Sequence, residues 1–308
     1  MQPSSSASPR IADYALLSNC HTAALVSRAG SVDWLSTPRF DSASVFGRLL
    51  DPNAGHWSIA PSGPWTSTRR YLPETLVLET TFEVPTGRLR LIDAMLVGFG
   101  DRGHELGVSS PRVLIRQLTC LEGRVDVIQE FAPRPEYGLV HPLLTPVDGG
   151  LVARGGSEVG VLSAPVALDV DRSTARSTWT MQAPHTVSFV LHCGQSWEVQ
   201  PEIWSQRRSV DHLDDTIAAW RSWSALHQRY EGPWRDLVHT SGRVLQGLTF
   251  RPTGAIVAAA TTSLPESVGG ERNWDYRFTW VRDASLTLDA LWVAACPDEV
   301  QWFFRWIA

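Results

Sequence analysis

The segment GGERNWDYRFTWVRD, residues 269–283, decides how the rest of the chain is interpreted. It combines four aromatic side chains with three arginines and three carboxylates, and it lies between an irregular loop and a strongly periodic helix. Aromatic rings can stack on the C–H faces of sugars, and Arg and Asp can bind hydroxyl groups through charge-assisted hydrogen bonds. The composition therefore fits a sugar-binding site. It fits equally a ladder of ion pairs that caps a helix.

Apolar residues at helical spacing predict four helices in the last third of the chain. The first covers Asp211–Tyr230 with Asp211 as its N-cap, and the second ends before Pro252. The third begins near Val281 and the fourth opens at Pro297. A helical region from residue 231 to residue 308 is short, and its tryptophan-rich apolar faces would have little protein of their own to pack against. It either docks on the preceding domain or is the front piece of something longer.

From residue 56 to about residue 200, short apolar runs alternate with clusters of Gly, Pro, Asp and Ser. This pattern predicts an antiparallel β-sandwich rather than βαβ units. Val113–Leu121 and Val125–Phe131 are predicted as two separate strands, and a hairpin is predicted to turn at Gly30. Phe40–Leu50 is predicted to form a short helical turn.

Several motifs in the first two-thirds of the chain do not support a catalytic or ligand site. GFGDRG at 98–103 matches the G-x-G-x-x-G pattern, but a strand rather than a helix follows it, so no nucleotide site is expected. The nine histidines show no HxH or HExxH spacing, and no metal site is predicted. Glu79 and Glu83 lie at even spacing on one strand, which indicates a solvated sheet face.

Bulk composition describes an ordinary soluble globular protein that is long enough for two domains. The 308 residues are 43% hydrophobic and 19% charged, with a formal net charge of -5, so neither nucleic acid nor an anionic membrane is an expected partner. Residues 1–10 form a polar leader that is expected to be disordered and lacks the apolar region of a secretion signal. The cysteines are far apart and predict no disulfide framework, so a cytoplasmic location is expected. They are Cys20, Cys120, Cys193 and Cys296.

Two parts of the sequence resemble bacterial glycoside hydrolase family 15 proteins, the glucoamylase-like and trehalase-like enzymes. The first part is Ile11–Leu35 with Pro38–Ser42, and the second is Thr261–Glu266 with Gly269–Asp283. The resemblance covers essentially the whole chain. It implies an N-terminal β-sandwich, a linker helix and the first helices of an incomplete (α/α)6 barrel. The corresponding ranges are 11–205, 206–230 and 231–308.

The resemblance also implies residue roles in binding the non-reducing glucose of the innermost subsite. Four positions match the family motif: Tyr276, Trp280, Arg282 and Asp283. The two charged residues would hold sugar hydroxyls, and the two aromatic residues would shape the pocket wall. Trp274 and Arg277 are expected to support this group from behind.

The implied chemistry is an inverting, cofactor-independent hydrolysis of α-glucosidic bonds. One glutamic acid protonates the leaving oxygen, and a second carboxylate roughly 6.5–9.5 Å away activates water. None of Glu266, Glu271 and Glu299 matches these positions, so both catalytic glutamates are expected beyond residue 308, and the chain alone is expected to be inactive. The expected ligand is a maltooligosaccharide or trehalose, between which the sequence does not choose. An incomplete barrel would favour self-association. A non-catalytic carbohydrate-binding or barrel-docking module is the alternative.

Overall fold

A large antiparallel β domain is followed by helices in the computed structural model, which describes residues 9–262, 267, 270–293 and 297–308. Most of the predicted leader and parts of residues 261–269, together with Cys296, lie outside the described residues. Within those residues, fifteen strands form one connected antiparallel assembly. They are β1 Tyr14–Ser18, β2 Ala23–Ser27, β3 Ser31–Ser36, β4 Ser44–Phe46, β5 His56–Pro61, β6 Thr66–Tyr71, β7 Leu78–Val84, β8 Gly87–Met95, β9 Val113–Ala132, β10 Leu143–Val147, β11 Gly150–Gly155, β12 Glu158–Ser163, β13 Asp169–Asp171, β14 Thr174–Gln182 and β15 His185–Gln195.

The long strand β9 joins two groups of strands. Its first part pairs with β8 and β15, in a group ordered β6-β7-β8-β9-β15-β12-β11-β10. Its second part pairs with β5 and β14, in a group ordered β1-β2-β3-β5-β9-β14-β13 with β4 against β3. The register along β8 and β9 shifts between Arg88 and Leu89, close to where β9 passes from one group to the other.

Side chains alternate along β9 between its two faces, and the two faces pack into different hydrophobic clusters. Leu118 belongs to a buried cluster that also contains Trp57 of one strand group and Phe82 of the other, as a β-sandwich requires. Ile115 lies on the opposite face and belongs to a second cluster, which includes the helical residue Trp220. One group of strands is therefore covered on both faces, by the other group and by a helix.

Four helices and a small hairpin follow the β domain in the described residues. They are α1 Gln206–His227, α2 Arg235–Gly247, β16 Thr249–Phe250, β17 Ala255–Ile256, α3 Val281–Val293 and α4 Pro297–Ile307. The predicted starts of α3 and α4 are confirmed. Ser205, rather than Asp211, caps α1, because its side chain accepts a hydrogen bond from the backbone N–H of Arg208. None of the helices in these residues is long and apolar enough to span a membrane.

The helical part docks on the β domain through close contacts to the backbone. The Ser18 hydroxyl donates to the carbonyl of Gly247 at 2.6 Å, and the N–H of Arg251 donates to the carbonyl of Cys20 at 2.8 Å. A side chain at Gly247 would place its Cβ 2.8 Å from Leu76 Cδ1, so glycine permits this approach. Large apolar side chains of α3 and α4 nevertheless remain exposed. They are Val281, Leu286, Trp292, Val293, Phe304, Trp306 and Ile307.

The structure corrects three local predictions. The helical turn at Phe40–Leu50 is wrong, because Ser44–Phe46 pairs with β3 as strand β4 and buries Val45 and Phe46. The two strands between residues 113 and 131 are one continuous strand, β9. Glu79 is buried beside Arg70 at 2.7 Å instead of lying on a solvated face, whereas Glu83 is exposed as predicted.

Two other predictions are confirmed. Gly30 turns the β2–β3 hairpin with a φ of 69°, and a Cβ there would lie 2.5 Å from the carbonyl oxygen of Ile59. The glycine-rich segment 98–103 leads into a three-residue 3₁₀ turn, Gly103–Glu105, and then toward β9. It is therefore a connection between strands, without the helix that a nucleotide-binding turn needs.

Candidate functional site

The segment that precedes α3 is held in an extended conformation against a neighbouring segment. The N–H of Ala258 donates to the carbonyl of Phe278 at 3.1 Å, and the N–H of Ala259 donates to the carbonyl of Tyr276 at 2.7 Å. The indole N–H of Trp34, in β3, donates to the carbonyl of Ala260 at 2.9 Å. The β domain thus fixes residues 258–260, and these residues in turn fix the path of residues 276–278.

Arg277 is the buried anchor of this segment, with 4% of its surface exposed. Its guanidinium donates to both carboxylate oxygens of Asp275, to the Tyr137 hydroxyl at 2.8 Å, and to the carbonyls of Phe40 and Ser42. All three partners outside the segment belong to loops of the β domain. Arg277 therefore ties the segment to that domain.

The ion pair of Asp275 and Arg277 is also an electrostatic unit. Partial burial alone would raise the pKa of the Asp275 carboxyl, but the hydrogen bonds and positive charge of Arg277 outweigh burial and lower that pKa. Asp275 consequently stays ionised and paired with Arg277. It is not available as a general acid.

The four residues predicted to bind sugar form one cluster at the start of α3. The rings of Tyr276 and Trp280 lie 5.1 Å apart between centroids and are tilted by 30°. The indole N–H of Trp280 donates to the carbonyl of Asp275 at 3.3 Å, which fixes the ring. The guanidinium of Arg282 lies 5.8 Å from the Trp280 ring centroid and pairs with Asp283 at 2.9 Å.

This cluster presents both chemistries that sugar binding needs. Tyr276 and Trp280 are half-buried, so they offer ring surface supported by the protein. The side chains of Arg282 and Asp283 keep 71% and 36% of their surface exposed, and their donors and acceptors can therefore reach a ligand. Trp274 is also exposed. Asp283 lies in the first turn of α3, where the helix dipole favours a negative charge.

A cavity of about 360 Å³ lies beside the same segment. It is bounded by the loop Arg39–Asp41, by the β16–β17 hairpin, by Arg277–Thr279 and by Trp306 of α4. Among the described residues that line it, none belongs to the Tyr276–Trp280–Arg282–Asp283 cluster. The cavity and the predicted sugar-binding cluster are therefore separate, although residues of the segment before α3 contribute to both.

Sequence reasoning missed the β-domain side of this arrangement. In the sequence Asp275 is one charged residue among several in this segment, and nothing there singles out Tyr137. The Asp-x-Arg spacing of Asp275 and Arg277 is a local signal for an ion pair. No sequence signal connects Arg277 to Tyr137, because the two residues are 140 positions apart in the sequence.

Two known families match the chain in sequence. Residues 4–214 match the family described as trehalase-like, N-terminal, and residues 232–308 match glycosyl hydrolases family 15. A protein of Mycolicibacterium smegmatis named trehalase is 36% identical over 97% of this chain and 47% of its own length. A trehalase of Mycobacterium tuberculosis is 36% identical over 97% and 46%, and trehalase 1 of Sulfolobus acidocaldarius is 34% identical over 89% and 44%. The chain spans about half the length of the curated relatives it matches.

Proposed function

The chain belongs to the family 15 glycosyl hydrolases that carry a trehalase-like N-terminal domain, and we propose that it serves the hydrolysis of α,α-trehalose. The named relatives support this substrate over a maltooligosaccharide, because those described above are all called trehalases. Since the chain spans about half their length, the activity is proposed for a protein in which the rest of the catalytic domain is present.

The observation that carries the proposal is the cluster at the N-terminal end of α3, formed by Tyr276, Trp280, Arg282 and Asp283. In the proposed complex one glucosyl ring lies against Trp280 and Tyr276. The Asp283 carboxylate accepts hydrogen bonds from sugar hydroxyls, and the Arg282 guanidinium donates to sugar oxygens. Arg277 supports this arrangement by fixing the backbone between Tyr276 and Phe278. Trp274 is proposed to lie behind the same wall.

The helices are proposed to open an (α/α)6 barrel from residue 231 onward, after a β-sandwich at 11–205 and a linker helix at 206–230. Exposed apolar side chains on α3 and α4 support this interpretation, because such faces are normally covered by further protein. The continuing helices of the same catalytic domain are the proposed cover. Self-association would be the substitute where those helices are absent.

The proposed chemistry is a single displacement with inversion. A carboxylic acid protonates the glycosidic oxygen, the bond to the anomeric carbon breaks, and a water deprotonated by a second carboxylate attacks the opposite face. Asp275 is bound to Arg277 and Asp283 to Arg282, so neither is assigned these roles. Both catalytic glutamates are assigned to protein outside the 308 residues. The site as proposed needs no cofactor.

A cytoplasmic location is part of the proposal. The four cysteines are far apart in the sequence and predict no disulfide framework, as suits a reducing compartment.

Glucose release tests the proposal directly. The 308-residue chain and a version extended through the complete catalytic domain are purified and supplied with trehalose or maltose. The extended protein should release glucose from trehalose faster than from maltose, and the 308-residue chain should release none. Hydrolysis by the 308-residue chain would contradict the assignment of the catalytic glutamates. An extended protein that binds sugar but never hydrolyses it would favour the binding-module alternative.

A further inference from the structure

A group of three side chains with metal-binding chemistry lies where the β domain, the linker helix and α4 meet. His104, His227 and Asp298 each offer one ligand atom, and these atoms all lie within 4.8 Å of one another. The three residues come from distant parts of the sequence, and this is why no spacing motif predicted them. His104 Nδ1 is already 3.3 Å from an oxygen of Asp298, and the two imidazole rings are 4.8 Å apart between centroids.

Three elements of the fold contribute one side chain each to this group. His104 lies in the 3₁₀ turn Gly103–Glu105, and the N–H of Gly103 donates to the hydroxyl of Ser222 on α1 at 2.8 Å. That bond brings the turn against the C-terminal end of α1, where His227 is 2% exposed and packs on the ring of Trp223 at 5.1 Å. Asp298 lies in the first turn of α4 and closes the group from the third side.

The geometry points to a binding site for one divalent transition-metal ion, and we propose that His104, His227 and Asp298 hold Zn²⁺ there. Two imidazole nitrogens and one carboxylate oxygen are a donor set that suits Zn²⁺ and disfavours Mg²⁺ or Ca²⁺, which take mainly oxygen ligands. At metal–ligand distances of about 2.0–2.1 Å, two ligand atoms of one ion lie roughly 3.4 Å apart in a tetrahedron. The His104–Asp298 separation of 3.3 Å is already close to that value, and the proposal requires the half-exposed His104 side chain to adjust when the ion binds.

The site is open on one side, which gives the ion an entry path and a place for water as the fourth ligand. The side chains of His104 and Asp298 keep 51% and 37% of their surface exposed, whereas His227 forms the floor. Two positive groups lie nearby. Arg251 donates to the backbone carbonyl of His104 at 3.0 Å and stacks on Trp302, so its charge is directed at other partners. The second positive group is Arg229, which lies two residues after His227 in the sequence.

A metal at this position would connect the turn after β8, the end of α1 and the start of α4. The proposed role is structural, as a cross-link that fixes the helical part on the β domain. This role is independent of the proposed hydrolysis, because it assigns none of the three residues to the sugar-binding cluster.

Zinc binding to purified protein tests the proposal without any activity assay. The affinity tag is removed, the protein is dialysed against a chelator, and Zn²⁺ or Mg²⁺ is titrated by calorimetry while the melting temperature is followed. We expect one Zn²⁺ per chain and a raised melting temperature, with no such effect of Mg²⁺. His104→Ala and Asp298→Asn should each weaken Zn²⁺ binding by more than the roughly 10–100-fold that loss of an outer contact causes.

His141→Ala is the matched control, because His141 is an exposed histidine outside the group. Zn²⁺ binding should be unchanged in that variant. His227→Gln should also weaken Zn²⁺ binding, and circular dichroism would show whether this buried variant folds. If it does not fold, the two exposed variants decide. The proposal is overturned if wild-type protein shows no saturable Zn²⁺ binding, or if His104→Ala and Asp298→Asn bind Zn²⁺ as wild type does.

Discussion

The guanidinium of Arg277 donates a hydrogen bond to the hydroxyl of Tyr137 at 2.8 Å, joining the segment before α3 to a loop of the β domain. Arg277 is buried, and it also holds Asp275 and two backbone carbonyls of the β domain. The contact makes the position of the proposed sugar-binding cluster depend on a domain that supplies none of its four residues.

Arg277→Met is expected to destabilise the protein by about 1–3 kcal/mol, because it leaves Asp275 and buried carbonyls without their donor. Urea unfolding measures this loss. Hydrogen exchange should also show faster exchange at the amides of Ala258 and Ala259, whose acceptors are carbonyls of the anchored segment. Arg282→Ala, five residues away and exposed, is the control and should change neither quantity. Equal effects of the two variants would show that Arg277 is no anchor.

Asp283→Asn and Arg282→Ala are each expected to lower kcat/KM for trehalose by roughly 10- to 150-fold in a protein with a complete catalytic domain. The estimate corresponds to the loss of one charge-assisted hydrogen bond of about 1.5–3 kcal/mol. Steady-state glucose release measures it. Ser285→Ala, an exposed substitution on the same helix, should be neutral. Near-wild-type turnover in both charge variants would mean that these residues only cap α3.

Asp93→Ala is expected to destabilise the β domain by about 3–5 kcal/mol, because Arg116 would remain buried as an unpaired charge. Both side chains are 0% exposed, with Arg116 Nε 2.8 Å from Asp93 Oδ1. Chemical denaturation provides the measurement. The exposed pair of Arg88 and Glu122 is the matched comparison, and Glu122→Gln should cost at most about 1 kcal/mol. Similar losses in the two variants would be inconsistent with this account.

Stability is expected to fall as the pH drops from about 6.5 to about 4, partly through His192. Burial lowers the pKa of His192 to about 4, and the charges of Arg208 and Arg112 act in the same direction against the opposing effect of Glu198. The unfolded chain takes up a proton near the ordinary histidine pKa of about 6.5, whereas the folded protein does not. This contribution is therefore complete above pH 6.5 and is lost on acidification.

Melting temperatures between pH 7 and pH 5 measure that dependence. His192→Asn should flatten the curve, since the substituted side chain does not titrate. His185→Ala, an exposed position at the start of the same strand, should leave the slope as it is in wild type. An unchanged slope in His192→Asn would assign the acid sensitivity to other groups, such as His56, whose pKa burial also lowers to about 4.

Local signals in the sequence predicted local structure well. The hairpin at Gly30 follows from a glycine between two short apolar runs, and the starts of α3 and α4 follow from helical periodicity. The separation into a β domain and later helices follows from a change of period from two residues to about 3.6. Each of these signals lies within a few residues of the feature that it predicts.

Features that depend on contacts between distant residues could not be predicted in this way. Ser44–Phe46 is a strand because β3 provides its partner, although its sequence resembles a helical turn. Glu79 is buried, and Arg70 on the neighbouring strand compensates its charge with an ion pair that a single strand does not reveal. For the candidate site, the composition of residues 269–283 fits a sugar site and equally a ladder of ion pairs, and it gives no indication that Arg277 faces the β domain. That orientation is set by acceptors at Phe40, Ser42 and Tyr137.

The position of β9 has a consequence for synthesis on the ribosome. Its neighbours β5 and β8 precede it in the chain, but β14 and β15 follow it. A nascent chain that has just completed β9 therefore carries a twenty-residue strand with one edge unpaired along its length. That edge stays open to chaperones or to other nascent chains until His192, the last residue of β15 that pairs with β9, has left the exit tunnel.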